Sequence, residues 1–177
     1  YMHHAFGKLG NGNYLTLISD FVDGNLTEIV REFDLDDQTV WTWNAHDHIE
    51  IPPGELSWLN PVIVDLDRDV AHVNSRGQSL LMEVDRADGS VLWALGEGGD
   101  FTAMSDHDHP WFDYAHAPEI QADGNVLLHD NGTADRAYSR AVEYALDHDA
   151  MTAEIVWEYP EGEPSDPWYS PQFGDAN

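Results

Sequence analysis

The run His116-Ala117-Pro118-Glu119-Ile120-Gln121-Ala122-Asp123-Gly124-Asn125-Val126-Leu127-Leu128-His129-Asp130-Asn131-Gly132 sets a histidine ahead of a turn and an apolar segment. Gly and Asn tolerate positive φ, so Ala122-Asp123-Gly124-Asn125 reads as a hairpin turn. Val126-Leu127-Leu128 then reads as the buried strand that follows it. The unit continues through Ser139-Arg140-Ala141-Val142-Glu143-Tyr144 and closes on Ile155-Val156-Trp157-Glu158-Tyr159.

The same outline recurs twice upstream. One copy runs from His4 through Gly10-Asn11-Gly12-Asn13, Tyr14-Leu15-Thr16-Leu17-Ile18, an Asp23-Gly24-Asn25 turn, Glu32-Phe33-Asp34 and Val40-Trp41-Thr42-Trp43. Another runs from His72-Val73-Asn74-Ser75-Arg76 through Ser79 to Asp85, an Ala87-Asp88-Gly89-Ser90 turn and Val91-Leu92-Trp93-Ala94-Leu95-Gly96. Short strands parted by Gly/Asn/Asp turns, with no sustained 3.6-residue period, predict an all-β repeat architecture, a β-propeller first among them. Three units are expected, at about 1–60, 61–112 and 113–168, with 169–177 the start of a further one, all within one partial propeller domain. His4 precedes Glu32 by 28 residues (32 − 4), His116 precedes Glu143 by 27 (143 − 116), but His72 precedes Glu83 by only 11 (83 − 72). On this count the middle unit is shortened by about a strand and a turn.

The 177 residues, 42% hydrophobic and 11% aromatic, can bury one sizeable core. Seven Lys+Arg against 34 Asp+Glu give a formal charge of −27, which argues against a nucleic-acid partner or an anionic membrane surface. Such a surface repels itself at low salt and is screened at molar salt, so a halophilic source is expected, an ordinary acidic protein being the alternative. There is no cysteine, which removes disulfides, thiolate nucleophiles and Cys-based zinc sites. No apolar run is long enough to span a bilayer. The chain begins at Tyr1-Met2-His3-His4, within repeat-like sequence, and so reads as a piece of a longer protein.

Four stretches resemble the arylsulfate sulfotransferase family: His3-His4 with Asn11-Gly12-Asn13; Asp69-Val70-Ala71-His72-Val73-Asn74-Ser75; Asp85 through Trp93-Ala94-Leu95-Gly96 to Gly99-Asp100-Phe101; and His116-Ala117-Pro118-Glu119-Ile120 with Asp130-Asn131-Gly132. The tail from Tyr169 to Ala176 is similar to the opening of another blade. The resemblance implies a six-bladed propeller, of which about three blades are present. It implies transfer of a sulfuryl group from a phenolic sulfate ester to a phenol through a sulfated histidine, with no nucleotide donor, cofactor or metal. An extracytoplasmic location follows from the family, and homo-oligomerisation is left open. His116 matches the nucleophile. His4, His72 and Asn74 match other active-site positions, and Arg76 matches the family's arginine if the middle unit is gapped between Ser75 and Arg76. Val70 and Ala5 stand where the family usually has tryptophan and aspartate.

The chemistry suits these residue types. Imidazole, with a pKa near 6.5, keeps an unprotonated nitrogen at neutral pH, and His, Asn and Arg donors can meet sulfonyl oxygens as charge builds on them. His72 and Asn74, two apart on an extended segment, project from the same side. His3 faces away and reads as structural. His46-Asp47-His48 and His107-Asp108-His109 offer two imidazoles each without a third ligand at a recognisable spacing, and read as loop histidines. Trp41, Trp43, Trp93 and Trp157 read as core between blades, while Trp58, Trp111, Phe112, Tyr114 and Trp168 fall in connections where an aromatic substrate could stack. A non-catalytic binding propeller and a metal-dependent hydrolase are the rival readings.

Overall fold

Turn chemistry fixes the first sheet. The computed structural model describes residues 2–22, 25–52, 55–136, 138–161, 169–172 and 174. Strand β1 (Met2–Lys8) ends at a turn closed by Leu9 N–H donating to Asn13 O at 2.8 Å, with Gly12 at φ 93°. Strands β2 (Tyr14–Val22) and β3 (Asn25–Phe33) pair antiparallel from Tyr14↔Phe33 to Val22↔Asn25, and the expected turn at Asp23-Gly24 lies outside the described residues. Between β3 and β4 (Thr39–Asn44), the Asp34 carboxylate accepts from the N–H groups of Asp36 and Gln38, the Asx-turn geometry that lets the chain reverse. A 3-10 turn (Ala45–Asp47) follows, capped by the Asn44 side chain.

The second sheet runs β5 (Leu59–Asp65), β6 (Val70–Ser75), β7 (Leu80–Asp85) and β8 (Val91–Leu95) in sequence order. It has four strands, as the first does, which corrects the expected shortening of the middle unit. Its first strand is Leu59–Asp65, and His72 lies on the second strand, whereas His4 and His116 lie on the first of theirs. Spacings measured from histidine to glutamate therefore compared unlike positions. A turn at 76–79 joins β6 to β7, with Ser75 Oγ 2.6 Å from Gln78 Oε1 and Gly77 N–H donating to Ser57 O at 2.8 Å.

The third sheet has the order β10-β11-β12-β13-β9, from β9 (Thr102–Ala103), β10 (His116–Ile120), β11 (Val126–Asp130), β12 (Arg140–Asp147) and β13 (Thr152–Tyr159). Only β9 pairs parallel, against β13. The turn before β11 forms as its residues dictate: Gly124 takes φ 91° and Gln121 N–H donates to Asn125 O at 2.8 Å. The register between the first and second strands shifts in each sheet, at His3/Phe6, Leu59/Val62 and His116/Glu119. The same irregularity thus falls between the first two strands of all three sheets. Among the described residues there is no α-helix, and none of the three sheets closes on itself.

The chain forms two compact units, Tyr1–Gln78 with Met82–Trp93, and Ser79–Leu81 with Ala94–Asn177. In the first, Leu17, Val30, Trp43, Leu59, Val73, Met82 and Val84 are buried. Polar groups stitch its two sheets. Trp43 Nε1–H donates to Gly89 O at 3.0 Å, and the His48 ring stacks on Trp43 with centroids 5.1 Å apart. The fully buried Glu32 takes hydrogen bonds from Asn11, Asn13 and Arg86, whose guanidinium also lies over Trp41. In the second unit Phe112, Val126, Leu128, Val142 and Tyr144 form the core. Trp43 and Trp93 are buried as expected, but Trp157 is 49% exposed on β13, where it stands opposite Glu143 at a register shift. Trp168 lies outside the described residues.

Candidate active site

His116 opens β10 at the register shift, between two residues with positive φ, Tyr114 at 53° and Ala117 at 45°. Non-glycine residues pay for that backbone, and such strain collects where a side chain must be aimed. The ring is buried, and its Nδ1 meets the carbonyl of Tyr114 at 3.3 Å and the side-chain Oδ1 of Asn131. The Asn131 amide has one orientation available. Its Nδ2 donates to the carbonyl of Ser170, which leaves Oδ1 as an acceptor. Both groups at His116 Nδ1 are acceptors, so Nδ1 carries the proton and Nε2 holds the lone pair of the neutral ring.

Asn131 is itself held in place. Ser139 Oγ donates to Asn131 O at 2.9 Å and accepts from Ser170 N–H at 2.8 Å. Beside it, Asp130 is fully buried and accepts from the N–H groups of Asp113 at 2.9 Å and Gly132 at 3.0 Å, the two backbone segments that flank the histidine and the asparagine. Its charge is met by Arg136 and by Arg140, whose Nε lies 2.9 Å from Asp130 Oδ2. Arg140 also reaches Glu158 at 2.7 Å and the carbonyls of His109 and Trp111. Burial, followed by repulsion from Asp130, raises the Asp113 carboxyl above its ordinary value despite the nearby Arg136. His129 is the cross-strand partner of His116 and is also buried, with Gly174 placed where a Cβ would strike its ring.

In the first unit, β6 is buried along its whole length and carries His72 and Asn74. His72 Nε2 lies 2.9 Å from Glu83 Oε2 on β7, and Asn74 Nδ2 donates to Asn60 O on β5. Arg68 grips both oxygens of Glu83, at 2.7 and 2.8 Å. Burial opposes ionisation of Glu83, but the hydrogen bonds from His72 and Arg68 outweigh it and hold the carboxyl down at about 2. Arg76 is half-buried in the 76–79 turn and sends its N–H to Trp58 O at 3.2 Å. β6 ends at Ser75 and the turn begins at Arg76. His4 lies on β1, and its side chain is outside the described residues. His116 belongs to the second unit, and His4, His72, Asn74 and Arg76 belong to the first.

In the sequence alone Asn131, Asp130, Glu83, Arg140 and His129 mark strands and turns without a chemical role, and nothing local assigns one to Arg68 or Arg136. The available signal was the scarcity of cations. With 34 carboxylates for seven bases, an arginine near an apolar strand marks a buried pair. His107, in the second His-Asp-His triplet, sits 3.2 Å from Glu158, and its Nδ1 accepts from His109 N–H. Among the described residues no three metal-ligating side chains come together, and no helix is long and apolar enough to cross a membrane.

The sequence model of the family described as Arylsulfotransferase (ASST) matches residues 1–177, the whole chain. No curated protein matches it.

Proposed function

Since the chain belongs to the arylsulfotransferase family, we propose that it moves a sulfuryl group from a phenolic sulfate ester to a phenol, with His116 as the carrier. The observation that carries this is the hydrogen bond of His116 Nδ1 to an Asn131 amide whose orientation Ser170 fixes. It gives the ring its Nδ1–H tautomer and leaves Nε2 as the nitrogen whose lone pair can attack. In the first half-reaction Nε2 attacks sulfur and the S–O(aryl) bond breaks, its electron pair leaving with the phenolate. In the second, the acceptor phenol gives its proton to solvent and keeps the O–H electron pair, its oxygen bonds to sulfur, and the S–N pair returns to Nε2.

His4, His72, Asn74 and Arg76 are proposed, on the family resemblance, as the groups that meet the sulfonyl oxygens and the departing phenolate. The three sheets with their shared register shift are then read as blades of the family's propeller. An extracytoplasmic setting and a salt-rich source go with the same reading. The test is incubation with a chromogenic aryl sulfate in the presence and absence of a phenol, without nucleotide or metal. Release that requires the phenol and survives chelator is expected. Absence of release, as from a binding propeller, or release abolished by chelator, as from a metal-dependent hydrolase, would overturn the proposal.

A further inference from the structure

Three hydrogen bonds close into a ring beside His116. The Asn131 amide Nδ2–H donates to Ser170 O, Ser170 N–H donates to Ser139 Oγ at 2.8 Å, and the Ser139 hydroxyl donates to Asn131 O at 2.9 Å. The hydroxyl has one proton and already accepts from Ser170, so that proton goes to Asn131 O rather than to Ser170 O, 3.4 Å away. Every donor in the ring points in the same sense, an arrangement in which each bond polarises the next. Asn131, which follows β11, and Ser139, which precedes β12, are fully buried. Their strands are already paired from Val126↔Tyr144 to Asp130↔Arg140, so the sheet does not need Ser170 to hold them together.

Ser170 comes from the segment whose sequence reads as the opening of a further unit, yet its hydrogen bonds reach Asn131 and Ser139. Gly174, four residues on (174 − 170), lies so close to the ring of His129 that a β-carbon there would overlap it. His129 is the cross-strand partner of His116 on β11. One segment thus orients the amide that faces His116 Nδ1 and also lies on the histidine paired with His116. The side chains of 130 and 131 divide between two tasks. The charge of Asp130 is turned to Arg136 and Arg140, while the neutral amide of Asn131 is turned to the imidazole.

We propose that the segment carrying Ser170 and Gly174 is a positioning strap for the carrier histidine, and that Ser139 is the residue that ties it down. This rests on the transferase reading, in which His116 carries the sulfuryl group. The strap acts through Asn131. With Ser170 O as its acceptor the amide presents only Oδ1 to His116 Nδ1, so the ring keeps its proton there and its lone pair on Nε2. Without the strap the amide can turn over and offer Nδ2–H to Nδ1, which draws the ring proton to Nε2, the nitrogen that has to attack sulfur. The carbonyl of Tyr114, at 3.3 Å, remains a more distant acceptor for Nδ1–H, so loss of the strap gives a mixture of tautomers.

The test reads the ring directly, by two-bond proton–nitrogen correlation spectra of the full chain at about pH 8, where an imidazole of ordinary pKa is neutral. His116 is assigned by the signal lost in His116→Gln. The wild-type ring should be protonated on Nδ1 alone. Ser139→Ala should add an Nε2–H population and lower kcat about tenfold, with a smaller change in KM for the donor ester. A wild-type ring protonated on Nε2, or a Ser139→Ala protein with an unchanged ring or an unchanged kcat, would overturn the assignment; a lower Tm alone would mark Ser139 as merely structural. Should Ser139→Ala not fold, Gly174→Ala carries the same test, because it keeps every group of the hydrogen-bonded ring and only pushes the segment off His129. An added Nε2–H population is again expected, and an unchanged ring and kcat would contradict the proposal. A wild-type Nδ1–H ring that becomes mixed in the variant, in a protein without phenol-dependent transfer, would refute the transferase reading and leave the strap standing.

Discussion

Asp130→Ala should be among the most damaging single substitutions in the second unit. The carboxylate is fully buried, accepts two backbone N–H groups, and neutralises Arg136 and Arg140. After its removal Arg140 keeps Glu158 and two carbonyls, so that guanidinium remains compensated. Arg136 keeps a single carboxylate, Asp113 at 3.7 Å. Stranding one member of a buried pair costs about 3–5 kcal/mol, and the Asp113 N–H left without its acceptor about 1 kcal/mol more, while the Gly132 N–H keeps Asp113 O at 3.2 Å. A total near 5 kcal/mol is therefore expected, which for a chain of this length lowers Tm by roughly 10–20 °C. Thermal and urea unfolding followed by circular dichroism would measure it. Asp130→Asn retains an acceptor oxygen for the N–H groups and should fall in between. Asp135→Ala, exposed in the following loop, should stay within about 0.5 kcal/mol of wild type. Asp130→Ala within 1 kcal/mol of wild type, on the order of the thermal energy, would refute the claim that this network fixes the backbone on both sides of His116.

The acid limb of stability should bear the signature of Glu83. Its folded-state value of about 2 lies below the ordinary 4.5, so the native state binds fewer protons there, and the stabilisation is present above about pH 4.5 and lost as pH falls toward 2. Discounted for the solvent-exposed Arg68, it is worth about 2 kcal/mol, and Glu83→Gln should flatten that limb in pH-dependent urea unfolding. An unchanged limb would count against the clamp. Trp43→Phe should cost about 1 kcal/mol, chiefly the bond to Gly89 O, and Trp43→Ala about 3–5 kcal/mol, read by the same unfolding curves. Raising salt from about 0.1 M to 1 M shortens the Debye length from about 10 to 3 Å, so a chain of charge −27 should gain Tm. A Tm that falls would argue against the salt-rich setting.

What could be read from the residues was what local chemistry decides. The turn at 122–125 and the strand beginning at Val126 follow from Gly124 and Asn125, and the structure has both. The first strand of the middle sheet was hidden because Leu59–Asp65 contains Pro61 and follows a Pro/Gly-bearing connection, which masked a strand that tolerates proline at its register shift. Choosing histidines as landmarks then placed His72 at the wrong strand of its sheet. Trp157 looked like core by analogy with Trp43 and Trp93, but its face depends on the register shift in β12, which no local residue announces. The partners that give the site its chemistry are distant in sequence. Asn131 is oriented by Ser170, and Glu83 is charged by Arg68 on another turn. Residue type nominated His116 and His72, and only tertiary contacts tell which nitrogen of each ring carries its proton.

The most direct measurement is of His116 itself, after incubation with an aryl sulfate and no acceptor, digestion at neutral to alkaline pH, and peptide mass spectrometry. A peptide containing His116 heavier by one SO3 group, discharged on adding phenol and absent in His116→Asn, is the predicted result. A charged peptide elsewhere in the chain, or transfer activity that survives His116→Asn, would contradict the account.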